Sequence, residues 1–278
     1  MKRQVLLYLL CVVLYGCAGI PVEEAFRQDA QISAIWPPAP EVPRIRLLRV
    51  IDGPSDVLPA KGAVRELVDY LVGEDQSYLN FVTPQGIATD GAGVVYIADP
   101  GAGVVHRYDL GRRSVTYLRD AGDDFLISPI GLAVDSDGSL FVGDTVRARV
   151  YRFSSSGRFL GFLGGADTFK RPGGIAITGN GEIVVVDALA HNLKVFNRNG
   201  DFLRELPLRG EGQTLNTPTY VSAGKDGLLY VTDSMNFRVL VYDREGRFVR
   251  SIGEIGDSPV LSRGLRVSRS TANPTFMS

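Results

Sequence analysis

Cysteine is almost missing from this chain of 278 residues, which has only Cys11 and Cys17. Cys11 falls inside an apolar run that reads as a removable export signal. The mature chain therefore has no disulfide, and its core alone must hold it, which a body of more than about two hundred residues can supply. An excess of charge of one sign is lacking too. Thirty Lys and Arg stand against 31 Asp and Glu, so no global field draws nucleic acid or an anionic surface. No apolar run is long enough to span a bilayer, since Val5 to Tyr15 falls short of the roughly 20 residues a transmembrane helix needs. Within the repeats described below, no window carries an apolar stripe of helical period, which excludes a helical solenoid. No Ser-His-Asp arrangement, phosphate-cradling glycine loop or cysteine cluster is present.

What is abundant is glycine, with 32 residues, beside 15 prolines and an apolar fraction of 45%. That mixture fits a folded chain with many tight turns better than a disordered one. At the N-terminus, Lys2 and Arg3 precede the apolar run, the layout of a secretory signal. The run ends in Leu14-Tyr15-Gly16-Cys17, which resembles the lipobox of bacterial lipoproteins. The resemblance implies a signal peptide over residues 1–16, lipid attachment to Cys17 and a membrane-anchored product of the bacterial cell envelope. Ala18 stands where an enteric retention signal would place aspartate, which favours the outer over the inner membrane. The alternative is an ordinary signal peptide or anchor with a chance cysteine. Residues 17–43 read as a lipidated tether, and Trp36-Pro37-Pro38-Ala39-Pro40 followed by Pro43 predicts an extended polyproline conformation. Trp36 is expected to dock this tether against the domain rather than to anchor a proline-binding partner.

The strongest pattern is a repeat anchored by Pro84, Pro129, Pro172 and Pro218, at separations of 45, 43 and 46 residues. Fifteen residues after each proline comes an aspartate, at Asp99, Asp144, Asp187 and Asp233, and nine further on an aromatic, at Tyr108, Phe153, Phe196 and Tyr242. Gly93, Gly138, Gly181 and Gly227 also share a phase, and Asp137, Asn180 and Asp226 precede the last three, a dipeptide suited to the positive φ of a tight hairpin. Four strands per repeat follow. The second, as in Ile183-Val184-Val185-Val186, is apolar enough to be buried on both faces. Four short strands in roughly 45 residues is the arithmetic of a β-propeller blade. An all-β sandwich remains as an alternative, although it gives no reason for such recurrence.

Thr83-Pro84-Gln85-Gly86-Ile87-Ala88, Arg171-Pro172-Gly173-Gly174-Ile175-Ala176 and Asp233-Ser234-Met235-Asn236-Phe237-Arg238-Val239 resemble NHL repeats, from about residue 81 to 253. Tyr220 departs from the pattern where other blades have Gly86, Gly131 and Gly174. The resemblance implies an all-β propeller, six-bladed in related bacterial proteins, of which about four blades lie in residues 81–259. Residues 44–80 are expected to supply an N-terminal strand, Pro43 to Val50, that closes the ring. A short helix follows, with Val64, Leu67, Val68 and Leu71 on one side.

The tail, residues 260–278, shows neither alternation nor a turn glycine and predicts an irregular end. Read out of frame, its codons can encode the next repeat. The Gly264/Leu265 junction can give proline, 46 positions after Pro218; Arg266/Val267 can give glycine and Ser270/Thr271 aspartate. Further on, Phe276/Met277 gives tyrosine or histidine and Met277/Ser278 can give valine. The expectation is a frameshift that truncates the propeller and leaves open sheet edges for self-association.

For chemistry, a metal held in the central channel would need ligands in equivalent phases. His106 and His191 are out of phase and are expected on the surface or in turns. The four repeat aspartates are in phase and could ring the channel around calcium. The simpler reading makes them structural, accepting backbone N–H bonds that hold a turn. Arg107, Arg147, Arg149, Arg152 and Arg238 could form a basic face, but are expected to be mixed, solvated side chains. The sequence therefore favours a non-catalytic binding or scaffold module without catalytic residues, cofactor or metal. Its partner would be a protein or envelope polymer rather than nucleic acid. The alternative is a propeller enzyme, lactonase-like or lyase-like, using a channel metal.

Overall fold

The computed structural model describes residues 34–47, 50–59, 78–165, 167–206, 214–255 and 265–266. The expected signal peptide, Cys17 and the expected helix around Val64 to Leu71 lie outside them. So does the tail apart from Leu265–Arg266. Among the described residues no helix is long and apolar enough to cross a membrane.

These residues form four antiparallel four-stranded sheets. Blade one comprises β3 (Gly86–Thr89), β4 (Val94–Asp99), β5 (Val104–Asp109) and β6 (Ser114–Leu118), preceded by the short pair β1 (Ile35–Trp36) and β2 (Ile45–Arg46). A small hairpin, β7 (Asp120–Ala121) and β8 (Asp124–Phe125), separates it from blade two: β9 (Pro129–Val134), β10 (Leu140–Asp144), β11 (Arg149–Phe153) and β12 (Phe159–Phe162). Blade three holds β13 (Pro172–Ile177), β14 (Ile183–Asp187), β15 (Asn192–Phe196) and β16 (Phe202–Glu205). Blade four holds β17 (Pro218–Ala223), β18 (Leu229–Asp233), β19 (Arg238–Tyr242) and β20 (Phe248–Ile252). Last come β21 (Glu254–Ile255) and β22 (Leu265–Arg266), paired antiparallel, so Leu265–Arg266 is a strand in the tail expected to be irregular.

The fixed phases of the sequence are strand registers. In blades two to four the anchoring proline pairs with the repeat aspartate, Pro129 with Asp144, Pro172 with Asp187 and Pro218 with Asp233, each beside a register shift. A bulge tolerates a residue that cannot donate a ladder hydrogen bond. The aromatic nine residues later faces the first residue of the second strand, in the pairs Leu140–Phe153, Ile183–Phe196 and Leu229–Tyr242, and all six are buried.

The chain parts into two compact units, one comprising the residues up to Phe81 with Gly91–Val95 and His106–Tyr117, the other Val82–Asp90, Tyr96–Val105 and Leu118 onward. In the second unit, side chains of a strand alternate between two neighbours. Val184 and Val186 of β14 join Val221, Leu229, Val231 and Leu240 of blade four. Ile183 and Val185 join Phe141 and Val150 of blade two. Each such side chain, fully buried, contributes about 1.5–3 kcal/mol relative to exposure.

The innermost strands approach backbone to backbone. A Cβ on Gly86 would lie 1.9 Å from the carbonyl oxygen of Ile130, one on Gly131 1.9 Å from that of Gly173, and one on Gly174 2.6 Å from the Cα of Tyr220. Glycine two residues after the proline is thus a packing requirement between neighbouring blades. Tyr220, at the same position of blade four, is 41% exposed.

The first unit departs from expectation in two ways. The segment read as an extended tether turns back, with the Arg44 N–H donating to the Trp36 carbonyl and the Leu47 N–H to that of Ala34. The expected closing strand is therefore paired, over Ile45–Arg46, with Ile35–Trp36. Trp36, expected to dock, is 56% exposed. The reason is local, because a turn over residues 37–43 gives both short strands a partner for backbone groups that an extended tether would leave to water.

Candidate functional site

The repeat aspartates organise one end of each blade. All four are fully buried. Asp144 shows the scheme: its carboxylate accepts the N–H groups of Ile127 (2.6 Å) and Ser128 (2.9 Å), which lead into the inner strand, and those of Val146 and Arg147 (both 3.0 Å), which follow it. Asp99 repeats this with Val82, Thr83, Gly101 and Ala102. Asp187 does so with Lys170, Arg171 and Ala190, adding the Lys194 ammonium at 2.6 Å. Asp233 accepts from the Asn216 N–H, the Asn236 amide and the Arg238 guanidinium. The bonds from the residues before the inner strand are not foreseeable from the turn alone; they make each aspartate a clasp across two loops.

The turn closes on a left-handed residue four places after the aspartate: Gly103 (φ 65°), Ala148 (52°), His191 (55°) and Phe237 (52°). Burial pushes the Asp187 carboxyl up, but the bonds from Lys194, Lys170 and Arg171 outweigh it and hold this acid below the usual carboxylate range. These carboxylates are engaged by backbone N–H groups in every blade, joined by the Lys194 ammonium at Asp187 and by the Asn236 amide and Arg238 guanidinium at Asp233. Among the described residues no group of three or more His, Cys, Asp or Glu side chains is placed to hold a metal ion.

Two residues beyond the aspartate, each turn presents a large apolar side chain to solvent: Val146 is 63% exposed, Leu189 54% and Met235 61%. Blade one has Gly101 there, and the space a Cβ would take is crowded by the Thr83 hydroxyl at 2.6 Å and by Cγ1 of Val82 at 2.7 Å, Val82 being itself 62% exposed. Buried positions repeat because packing demands it. Packing makes no such demand of an exposed side chain.

The turn ends also carry charge. Arg147 and Arg149 share the carboxylate of Asp124, at 2.9 and 3.2 Å, and lie over the rings of Phe125 and Phe162. Asp124 is held below the usual carboxylate range, since the Tyr151 hydroxyl, the Phe125 N–H and both guanidinium groups overcome the burial that opposes them. Arg152 pairs with Asp137 and Arg238 with Asp233, and in the first unit Arg107 lies 3.7 Å from Asp109. The five arginines expected to be solvated are thus all members of ion pairs; Arg107, Arg147, Arg152 and Arg238 are partly buried, while Arg149 is exposed. In blade three, Lys170 and Arg171 are exposed, and neither enters an ion pair among the described residues. A cleft of about 690 Å³ opens beside blade four, lined by His191, Asn216, Asn236 and Arg238 among others.

The histidines divide. His191 occupies a turn, and its Nδ1 accepts the Thr217 N–H at 3.0 Å. His106, expected at the surface, is fully buried within β5, 4.9 Å from the ring of Phe81 and 5.2 Å from that of Tyr117. Its aromatic neighbours make this an interior position that repeat phase does not reveal. Burial likewise pushes the neighbouring Tyr108 phenol well above its ordinary range. The exposed apolar residues at the turns were not among the expected site residues; their signal in the sequence is an apolar side chain at a fixed phase in a loop, where polar residues are the rule.

No family model and no curated protein matches the chain. Solved structures do. A streptogramin B lyase superposes with a TM-score of 0.51 at 19% identity, over 61% of this chain and 54% of that one. A nidogen/laminin complex gives 0.51 at 21%, over 64% and 68%. A gluconolactonase from Xanthomonas campestris gives 0.51 at 19%, over 60% of each chain. The fold is a β-propeller. The chain spans about half the length of the lyase it matches. Two of these neighbours are enzymes and the third is a complex between proteins, so the likeness defines the propeller and leaves the activity to the site.

Proposed function

We propose that this chain is a non-catalytic binding or scaffold module of the bacterial cell envelope, lipid-anchored through Cys17 and engaging a partner with the turn ends of its blades. The observation that carries the reading is the exposed apolar side chain recurring at one place in three consecutive blades, Val146, Leu189 and Met235, with the exposed Val82 close to that position in blade one. Leaving such side chains in water forgoes stabilisation that a covering partner restores. Support for the anchor comes from the Leu14-Tyr15-Gly16-Cys17 sequence.

A photo-crosslinking residue at position 189 in native membranes tests the surface. A protein adduct at 189, absent when the crosslinker sits at Val249 on the outer strand β20, is expected. Equal yields at both positions would refute the reading. Incorporation of an alkyne-labelled fatty acid, abolished by Cys17→Ser, tests the anchor.

The cleft beside blade four favours a second reading, a propeller enzyme acting on a small molecule, because its volume is within the range of ligand sites and its lining sets Leu215 and Met235 beside His191, Asn216, Asn236 and Arg238. In the form with a channel metal, this reading predicts stoichiometric metal in the purified intact protein, measured by plasma mass spectrometry.

A further inference from the structure

We infer that the cleft beside blade four receives an uncharged peptide segment of the partner and reads its backbone; this rests on the binding reading above and adds a place and a chemistry to it. The cleft brings together His191 from the turn of blade three, Leu215 and Asn216 from the approach to β17, and Met235, Asn236 and Arg238 from the turn after β18 and the start of β19. Its polar groups depart from the repeat. Seventeen residues before the repeat aspartate, blade four has Asn216 where the others carry Val82, Ile127 and Lys170; three residues after it, Asn236 stands where the others carry Ala102, Arg147 and Ala190. At the first of these positions the aspartate takes only the backbone N–H, in all four blades. The fold therefore makes no demand on the Asn216 side chain.

The bonds already made decide what each group still offers. The Asn236 amide nitrogen donates to the Thr214 carbonyl at 3.2 Å and to the Asp233 carboxylate at 2.8 Å, which leaves its Oδ1 as an acceptor. Asn216 Oδ1 accepts the Thr217 hydroxyl at 3.4 Å, which leaves its Nδ2 as a donor. His191 Nδ1 accepts the Thr217 N–H at 3.0 Å, so the ring carries its proton on Nε2 and donates there. Among the described residues none of these three atoms has a partner. A free amide donor and a free amide acceptor in one cleft complement a peptide unit, and the imidazole N–H suits a second carbonyl. Charge points the same way. Arg238 is balanced by Asp233 at 2.9 Å, so the described lining holds no unbalanced charge to draw a phosphate or a carboxylate. Leu215 and the exposed Met235 give the segment's side chains apolar contact, and Met235 belongs to the row at the turn ends. Because bonds within the protein already hold Asn236 and Arg238, little side-chain freedom is lost when the segment binds.

Selection of a random dodecapeptide phage library on the intact protein supplies the probe. Enriched peptides are expected to carry little net charge. The affinity of an enriched peptide, read by fluorescence anisotropy, should fall about tenfold with Asn216→Ala and with Met235→Asp, be unchanged by Val249→Asp, and vary less than about twofold with added salt. Replacing the peptide bonds of that peptide one at a time by esters should cost about tenfold at one or two positions, since an ester lacks the N–H that meets Asn236. Circular dichroism confirms that each protein variant is folded. No enrichment, enrichment of charged peptides whose binding is lost in salt, indifference to Asn216→Ala, or ester replacements without effect at every position would overturn the inference. If the crosslinker at 189 still captures a protein, the binding reading survives and only the role of the cleft is wrong; failure of both experiments removes both.

Discussion

Gly131→Ala places a methyl group where no side chain can move aside. The added Cβ would stand 1.9 Å from the Gly173 carbonyl oxygen, 2.9 Å from its carbon and 3.2 Å from the Gly174 Cα, all of them backbone atoms of the next inner strand. Ordinary contact requires about 3.5 Å, so the two strands must part by roughly 1.5 Å. Overpacking of this kind costs about 1–3 kcal/mol, toward the upper end where backbone must shift. Restricting the unfolded chain returns about 0.4–1 kcal/mol. A net loss of about 2 kcal/mol lowers the melting temperature of a domain this size by about 4–8 °C. Gly179→Ala is the control, since nothing lies within 4 Å of its Cβ position and its φ is not positive; it should be neutral or slightly stabilising. Far-UV circular dichroism in a urea titration is the assay, because the single tryptophan, Trp36, lies in the hairpin outside the blades. Equal midpoints for the two variants would refute the claim that glycine is there for the approach of inner strands.

Ala148→Gly should raise the urea midpoint. Relief of a left-handed φ of 52° is worth about 1–2 kcal/mol and glycine gives back about half of it in unfolded-state entropy. Asp187→Asn should cost about 3 kcal/mol at neutral pH, since it strips a buried carboxylate from the Lys194 ammonium and from backbone donors. The folded protein lowers the pKa of Asp187. Its contribution is therefore complete above the unfolded value of about 3.9 and drains away as pH falls through the lowered one. Urea titrations at decreasing pH should show a shallower acid loss in the variant than in the parent; parallel curves would contradict it. Leu189→Asp should leave stability within about 0.5 kcal/mol, because its side chain is exposed.

Much of the blade is legible in sequence because register is a count. Proline to aspartate spans the inner hairpin, and aspartate to aromatic spans the next, so a spacing along the chain becomes a pair across a sheet. Where the structure depends on what comes from elsewhere, counting fails. His106 is interior because Phe81 and Tyr117 close around it, not because of its phase. The small hairpin at Asp120–Phe125 lies between repeats, and its Asp124 draws in Arg147 and Arg149, which by composition alone read as solvated. The exposed apolar row is periodic in blades two to four, but its interruption at Gly101 has a cause only three dimensions reveal, since Thr83 and Val82 of a different loop crowd that position.

The aspartate and the glycine divide the energetics of the repeat between them. The carboxylate of Asp144 accepts hydrogen bonds from its own blade, Ile127 to Arg147, whereas the atoms nearest a Cβ on Gly131 belong to the next one. In the language of a one-dimensional chain of coupled spins, the first residue sets the field on each site and the second the coupling to its neighbour. Substituting Asp144 should therefore melt one blade locally, visible as hydrogen exchange confined to residues 129–162. Substituting Gly131 should leave each blade intact while the weakened coupling of blades two and three lowers the midpoint of the whole transition and broadens it. A protein built this way can gain stability and sharpness of unfolding independently, by changes at different residues.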